Sequence, residues 1–313
     1  MLKIYKNFNL SKIHKKSILL IGNFDGLHLG HQKLFKLAEK YSKKHKVKFG
    51  VLTFDPLPVM FFNKKLTNYR ITSNLQKNLL FEKSGVDFVI VSRFNKSFSK
   101  ISADNFIKKI IVKKINPNFI FVSNNFKYGF RRAGNVAKLI SKENIYNYKI
   151  IKPSPLKKGK KIISSTLIRK LLQRGELKNA NKLLGRNWSI IGVVQKGRSV
   201  GKKLGVPTCN IDIKNYILPK FGIYAVKVII GNKSKIYQGA AYLGSRPTFG
   251  GKEVFLEINI FGIKQNLYTK RLRVYFLKFI RKDKKFKNSA ELVRQMNKDV
   301  ILAKKGLNTK LVL

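Results

Sequence analysis

The stretch Gly22-Asn23-Phe24-Asp25-Gly26-Leu27-His28-Leu29-Gly30-His31 decides the fold of the first half of the chain. It follows an apolar run at residues 17–21 and leads into a segment whose apolar residues recur at helical spacing. A glycine turn between a strand and a helix presents backbone N–H groups to an anion. The stretch therefore predicts a phosphate-binding turn at the end of a buried strand.

Half of the chain's four histidines fall within this stretch, at His28 and His31. Because they lie on either side of Gly30, both imidazoles can face one bound group. An imidazole that donates a hydrogen bond to a phosphate oxygen stabilises the charge that develops as pyrophosphate leaves. The pair predicts nucleotide transfer without a covalent enzyme intermediate. The alternative is a tight turn with two incidental histidines.

Outward from this stretch, the first half of the chain alternates between strand and helix patterns. Besides the helix that begins near His31, the patterns predict helices at residues 74–84, 102–114 and 135–143, and strands at 17–21, 47–54, 87–91, 119–122 and 148–152. Repeated β-α-β units form a parallel sheet with ligands at the carboxyl ends of its strands. We therefore expect an α/β, Rossmann-like domain in this half.

The pattern changes after residue 184. Strands separated by glycine turns are predicted at residues 188–195, 222–230, 234–243, 254–260 and 271–279, with one helix at 289–304. Many short strands with one helix indicate an all-β domain, a small antiparallel barrel with a terminal helix. We place the domain boundary so that residues 1–185 form the first domain and 186–313 the second.

A second glycine-rich stretch opens this half of the chain: Gly197-Arg198-Ser199-Val200-Gly201-Lys202-Lys203-Leu204-Gly205-Val206-Pro207-Thr208-Cys209-Asn210. Its glycines predict a loop of backbone donors that cradles a nucleotide. Thr208 and Asn210 lie two residues apart in an extended segment, so their side chains point to the same side. A hydroxyl and an amide oxygen suit Mg²⁺, which prefers oxygen ligands.

Several segments of the first half resemble known families. The histidine stretch resembles the G-x-F-D-x-x-H-x-G-H signature of the HxGH nucleotidyltransferases. Bacterial bifunctional riboflavin kinase/FAD synthetases have segments similar to Thr53-Phe54-Asp55-Pro56-Leu57-Pro58, Asn125-Phe126-Lys127-Tyr128-Gly129 and Ile163-Ser164-Ser165-Thr166-Leu167-Ile168-Arg169. The resemblance implies an FMN adenylyltransferase with His28 and His31 as catalytic residues. It also implies that ATP is bound by Gly22, Phe24, Asp25, Gly26, Gly30, Asn125, Ser164, Ser165, Thr166 and Arg169.

The last of these segments also has a physical rationale. Hydroxyls at a helix start, together with backbone N–H groups, can hold a triphosphate, with Arg169 about one turn further on. The alternative is a plain N-cap followed by a surface arginine. The chain departs from the family pattern at Ser123, where Gly is frequent, and at Tyr128, where Phe is usual.

The second glycine-rich stretch resembles the G-x-x-L-G-x-P-T-x-N signature of riboflavin kinases, with Lys202 and Val206 where Arg and Phe are common. The resemblance implies that Thr208 and Asn210 ligate Mg²⁺ and that ATP is bound by Gly201, Lys202, Gly205, Pro207, Thr208 and Asn210. Leu256-Glu257-Ile258-Asn259-Ile260 is similar to the family's (L/V)-E-V-H-L segment. Glu257 is the candidate base for the ribityl 5′-hydroxyl. Glu253 is the competing carboxylate, and Asn259 stands where His is frequent.

Along the chain, the resemblance spans residues 18–299. It implies a bifunctional enzyme that phosphorylates riboflavin with ATP to give FMN, and then adenylylates FMN with ATP to give FAD and pyrophosphate. The expected small-molecule partners are riboflavin, FMN and ATP, and Mg²⁺ is the expected metal. A riboflavin kinase with an inactive N-terminal domain is one alternative.

The net charge of +53 supports an alternative of another class, a basic nucleic-acid-binding protein. The 54 lysines are spread along the whole chain, however, so we expect nonspecific adhesion to polyanions at low salt and no specific nucleic-acid partner. A single cysteine, Cys209, excludes an intrachain disulfide, which favours a cytoplasmic protein. No apolar run approaches the roughly 18 residues of a membrane span, so we expect no membrane partner. No motif sets an oligomeric state.

Overall fold

The computed structural model describes residues 1–159, 161–196, 206–231, 234–248, 251–263, 265–307 and 311–313, with backbone alone for 246–248 and 251–253. The chain forms two compact units. The first comprises Met1–Thr67 and Asn74–Ser164, and the second comprises Asn68–Ser73 and Ser165–Leu313. The predicted ATP-binding residues Gly201, Lys202 and Gly205 lie outside the described residues.

A six-stranded parallel sheet forms the centre of the first unit, and the sequence predicts a parallel sheet with five of these strands. Its strands are β1 (Lys3–Tyr5), β2 (Ile18–Ile21), β3 (Phe49–Asp55), β4 (Phe88–Arg93), β5 (Phe119–Phe121) and β8 (Lys149–Ile151). Separate two-stranded ribbons pair β6 (Lys127–Tyr128) with β7 (Gly134–Asn135), and β9 (Lys157–Lys158) with β10 (Lys161–Ile162). The spatial order of the sheet is β1-β4-β3-β2-β5-β8. The order reverses at β2, so the carboxyl end of β2 is the switch point where such sheets bind ligands.

Helices pack on both faces of this sheet, because alternate residues of β2 belong to different cores. Ile18 and Leu20 pack with α1 (Leu29–His45) and α3 (Asn74–Lys83), whereas Leu19 and Ile21 pack with a helix at Phe106–Ile115. Strands that are apolar on both faces are typical of parallel sheets. The remaining α-helices among the described residues of the unit are α2 (Pro58–Phe62), α4 (Lys96–Ser99), α5 (Ala103–Asn105), α6 (Val136–Ile140) and α7 (Glu143–Tyr146).

Three details of the first unit differ from the sequence-based expectations. The edge strand β1 was not predicted, because its three residues are mostly exposed and carry little apolar signal. The helix predicted at 102–114 forms, but beyond α5 it widens, and the Asn116 N–H donates to the Ile111 carbonyl at 2.7 Å. The helix predicted at 135–143 is two helices, α6 and α7, separated where the Ser141 hydroxyl bonds the Lys138 carbonyl.

A closed antiparallel barrel dominates the second unit and confirms the predicted fold class. Its strands are β11 (Ser189–Gln195), β12 (Cys209–Ile211), β13 (Gly222–Ile230), β14 (Ile236–Thr248), β15 (Gly251–Ile260) and β16 (Arg271–Arg281), in the order β11-β12-β15-β14-β13-β16. Helices α8 (Ser165–Gln173) and α9 (Leu177–Leu184) precede it, and α10 (Ser289–Gly306) follows it.

The segment Asn68–Ser73 belongs to this second unit although it lies early in the chain. The Trp188 indole N–H donates to the Ile71 carbonyl at 2.9 Å, and the Arg70 N–H donates to the Asn215 carbonyl at 2.8 Å. These bonds satisfy backbone groups that a buried loop would otherwise leave unpaired. Within the part of the chain described, no helix combines the length and the apolar character that a membrane crossing requires.

Candidate active sites

The predicted phosphate-binding turn lies directly after β2, at the switch point of the sheet. The Gly22 N–H extends the pairing with β3 by donating to the Leu52 carbonyl at 3.1 Å. The backbone then takes left-handed conformations at Phe24 (φ 47°), Gly26 (φ 81°) and Leu27 (φ 34°). Such values are rare for residues with side chains and concentrate at functional sites, where the surroundings hold them.

His28 caps the N-terminus of α1. Its backbone is extended, and its Nδ1 accepts a hydrogen bond from the His31 N–H at 3.3 Å. A neutral imidazole that accepts at Nδ1 carries its proton at Nε2, and an Nε2–H is a donor that suits a phosphate oxygen. A Cβ at Gly30 would lie 3.2 Å from the His28 ring, so this packing favours glycine there.

The two predicted catalytic histidines lie together. Their ring centroids are 3.7 Å apart and their planes differ by 19°. Phe24 contacts the His31 ring edge-on at 5.2 Å, and Asp25 is buried. Seven predicted site residues therefore lie in the turn between β2 and α1 or in the first residues of that helix: Gly22, Phe24, Asp25, Gly26, His28, Gly30 and His31.

The departures from the family pattern lie beyond β5, the strand beside β2. Asn125 is exposed, and its Oδ1 accepts a hydrogen bond from the Ser123 hydroxyl at 2.9 Å. Tyr128 is a core residue whose ring packs on Phe106 and Phe126. Burial raises the pKa of Tyr128, and its hydroxyl has no hydrogen-bond partner within the described chain. Ser123 therefore orients a predicted ATP-binding residue, whereas Tyr128 contributes to packing.

The segment from Ser164 to Arg169, which was predicted to bind ATP through its hydroxyls, is divided between the two units. Ser164 ends the first unit, whereas Ser165, Thr166 and Arg169 lie on α8 of the second. Arg169 is buried there: its Nε donates to the Tyr69 carbonyl at 2.9 Å, and its guanidinium lies 3.8 Å from the Tyr69 ring centroid. These contacts fix the guanidinium in place, and its binding to ATP stays a prediction.

The barrel assembles its polar groups through strand register. Glu257 on β15 lies opposite Asn210 on β12 and opposite Tyr242 on β14. Residues opposite each other in an antiparallel pair project from the same face. The neighbouring residues Ile211, Leu256 and Ile258 are buried, so they occupy the other face, inside the barrel. A carboxylate, an amide and a phenol therefore share the partly exposed face.

Asn259 holds the segment that contains Thr208. Backbone pairing between β12 and β15 ends at Cys209 and Ile258, and beyond it the Asn259 side-chain amide donates to the Pro207 carbonyl at 2.7 Å. Asn259, which stands where His is frequent in the family, thus fixes the peptide between Pro207 and Thr208. The side chain of Glu253, the competing carboxylate, lies outside the described residues.

A second carboxylate borders this face. The Tyr242 hydroxyl donates to Asp283 Oδ2 at 2.9 Å, and the Tyr242 ring packs edge-on against Phe255 at 5.5 Å. Burial raises the pKa of Tyr242, and the charges of Asp283 and Glu257 raise it further. Nearby, Arg281 forms a bidentate ion pair with the buried Asp299 of α10, at 2.6 and 2.8 Å. That pair anchors the terminal helix to β16.

The donor chemistry at Thr208 and Asn210 fits Mg²⁺, because hydroxyl and amide oxygens are hard ligands and the Glu257 carboxylate lies across from Asn210. Across the described residues, no group of three or more His, Cys, Asp and Glu side chains could hold a metal ion. Burial raises the pKa of the Cys209 thiol to about 12, so the thiol is protonated at neutral pH.

Sequence reasoning missed two residues of these sites. Lys77 is buried beside the nucleotide turn, and its ammonium donates to the Thr53 hydroxyl at 3.0 Å. Tyr242 is brought beside Glu257 by strand register. No local pattern marks either residue, since a lysine on a helix and a tyrosine on a strand are ordinary in sequence.

The chain is similar to known proteins in both of its units. A family model described as FAD synthetase matches residues 10–167, and one described as riboflavin kinase matches residues 184–307. A Buchnera aphidicola protein (subspecies Schizaphis graminum), named bifunctional riboflavin kinase/FMN adenylyltransferase, is 38% identical over 96% of this chain and 97% of its own. Proteins of that name from Haemophilus influenzae and Escherichia coli K12 are 34% and 32% identical. They cover 96% and 95% of this chain, and 97% and 95% of their own.

A solved structure described as a macrolide-efflux protein from Streptococcus pneumoniae has the same fold throughout. Its TM-score is 0.84 at 28% identity, covering 99% of both chains. The two family models match successive parts of the chain, and the relatives match it along nearly its whole length. The chain therefore belongs to the family of bifunctional riboflavin kinase/FMN adenylyltransferases.

Proposed function

We propose that this chain converts riboflavin to FMN at the barrel site and FMN to FAD at the nucleotide turn. Residues 186–313 carry the kinase and residues 1–185 the adenylyltransferase. The observation that supports this division is that each unit has its own polar site: the stacked histidines at the start of α1, and the Asn210–Glu257 pair of the barrel.

In the kinase step, the ribityl 5′-hydroxyl oxygen attacks the γ-phosphorus of ATP. A P–O bond forms to riboflavin as the bond to ADP breaks, and Glu257 accepts the hydroxyl proton. Thr208 and Asn210 would hold Mg²⁺, which when bound neutralises phosphoryl charge. Asn210 and Glu257 lie opposite each other in the pairing of β12 with β15. This position supports both roles, because it places the base and a metal ligand on one face.

In the adenylyl step, a phosphate oxygen of FMN attacks the α-phosphorus of a second ATP, and pyrophosphate leaves with the electrons of the broken P–O bond. The His28 Nε2–H donates to the phosphate oxygens that gain charge, and His31 stacks on it. Gly22, Phe24, Asp25, Gly26 and Gly30 form the turn around the phosphates. Further ATP contacts are proposed for Asn125, Ser164, Ser165, Thr166 and Arg169.

We also propose a cytoplasmic protein with no specific nucleic-acid partner. Its single cysteine supports a reducing compartment, and the spread of lysines along the chain supports nonspecific polyanion adhesion only.

The test is to incubate the full chain with riboflavin, ATP and Mg²⁺ and to separate the flavins by chromatography. FMN is expected first, followed by FAD with one pyrophosphate released per FAD. FMN without FAD would contradict the adenylyltransferase and leave the alternative of an inactive N-terminal domain. Neither product would contradict both assignments.

A further inference from the structure

Lys77 stands apart from the other lysines that the structure describes because its side chain is buried. The chain has 54 lysines, and Lys77 is 3% exposed. Lysine is almost never fully buried, because removing an ammonium group from water is costly unless polar partners compensate. Lys77 lies on α3, within the unit that contains the nucleotide turn.

The partners of Lys77 belong to the nucleotide turn and to the strand beside it. Its ammonium donates to the Thr53 hydroxyl at 3.0 Å and to the Asn23 carbonyl at 3.5 Å. The Thr53 hydroxyl in turn donates to that carbonyl at 3.3 Å. Two donors, from β3 and α3, therefore converge on one carbonyl oxygen at the start of the turn.

That carbonyl fixes the peptide that leads into Phe24. Phe24 has φ 47°, a conformation that residues with side chains rarely adopt and that persists only where its surroundings hold it. The Phe24 ring contacts the His31 ring, which stacks on His28. A continuous chain of contacts thus runs from the Lys77 ammonium to the histidine pair.

We infer that Lys77 is a positioning residue for adenylyl transfer, which fixes the Asn23 peptide and, through Phe24, the orientation of the two histidines. The inference rests on the proposed function of the first unit. Displacing reacting groups by about 1 Å costs up to about a hundredfold in rate, so losing this tie affects turnover more than substrate binding.

The test compares Lys77→Met with wild type in FAD formation from supplied FMN. Methionine has similar length, and an apolar group replaces a buried charge without necessarily destabilising the fold. We expect kcat for FAD formation to fall about 30-fold, with KM for ATP and FMN changed by less than about threefold. Phosphorylation of riboflavin by the same preparation should stay within about twofold of wild type. Lys83→Met, an exposed lysine of the same helix, is the matched control and should leave both rates unchanged.

Thr53→Val removes the other donor to the Asn23 carbonyl. We expect it to lower kcat for FAD formation about tenfold. The double variant should be at most about twofold slower than Lys77→Met. The two losses should not add, because both substitutions act through one carbonyl.

A Lys77→Met enzyme whose FAD-forming kcat stays within about twofold of wild type would overturn the inference. So would a rise in KM with kcat unchanged, since that pattern indicates a direct binding role. If Lys77→Met loses both activities, Thr53→Val decides alone: a loss confined to FAD formation supports the inference and an unchanged rate overturns it. A wild-type chain that forms no FAD would instead contradict the proposed function itself.

Discussion

In the first unit, the candidate catalytic groups come from ten consecutive residues, Gly22–His31, whereas the polar groups of the barrel site come from three strands, with Asn210 on β12 well before Tyr242 on β14 and Glu257 on β15. The first set is positioned by left-handed backbone conformations and by a side chain that caps its own helix. The second is positioned by register alone. Local turn chemistry builds one site, and long-range pairing builds the other.

The two sites also differ in how deeply their polar side chains are buried. Four polar side chains beside or within the nucleotide turn are buried: Asp25, His28, Thr53 and Lys77. In the barrel, the Asn210, Tyr242 and Glu257 side chains are only half-buried. Hydrogen bonds and charges act more strongly in a water-poor setting than in a hydrated one. The first site therefore depends on fixed donors, and the barrel site depends on one base held at the correct register position.

The largest expected effect tests that dependence on a single base. Glu257→Gln keeps the size and the register position but removes the proton acceptor, so kcat for riboflavin phosphorylation should fall by about 10²–10⁴-fold. FAD formation from supplied FMN should remain at the wild-type rate, because the nucleotide turn is untouched. Steady-state assays of both half-reactions measure this. Glu253→Gln is the matched control, and a larger loss there than at Glu257 would transfer the role of base to Glu253.

The next effect separates the two duties of His28, as phosphate donor and as helix cap. His28→Ala should lower the rate of FAD formation about 10²–10³-fold and, by removing the cap of α1, should destabilise the fold by about 1 kcal/mol. His28→Asn should lose the same activity, whereas asparagine is a good N-cap and should preserve the thermal midpoint. Product analysis together with thermal unfolding distinguishes the two variants. An Asn variant that forms FAD at the wild-type rate would leave His28 with a capping role only.

The contrast between the sites also explains what the sequence could predict. The sheet, the barrel and the nucleotide turn followed from hydrophobic periodicity and glycine positions, because those signals are local. The proximity of His28 and His31 was predictable because one short stretch of sequence holds both. Glu257 was predicted as the base because its segment resembles the (L/V)-E-V-H-L segment of riboflavin kinases.

The remaining features depend on tertiary structure. The Lys77 contact joins α3 to β3 and to the turn, and its partner Asn23 lies 54 residues away in the chain. The Asn259 contact with Pro207 spans 52 residues, and no spacing rule relates the two. The membership of Asn68–Ser73 in the barrel unit is likewise accompanied by hydrogen bonds to residues more than a hundred positions later, such as Trp188 and Asn215. Such pairings are decided by packing, which periodicity does not encode.

Substitution of Tyr242 should have the smallest of the expected effects on activity. It tests directly whether strand register assembles the barrel site. It lies opposite Glu257, and its hydroxyl binds Asp283, so it holds the segment after β16 beside the base. Tyr242→Phe keeps the ring against Phe255 and removes one hydrogen bond, a loss of about 1 kcal/mol or about fivefold in kcat for riboflavin phosphorylation. Asp283→Ala removes the acceptor and should cost at least as much, and the double variant should be no worse than Asp283→Ala, because both substitutions remove the same Tyr242–Asp283 bond. FAD formation should be unaffected in all three. Additive losses would show that Tyr242 and Asp283 act on the kinase site separately, and that the barrel site does not depend on their contact.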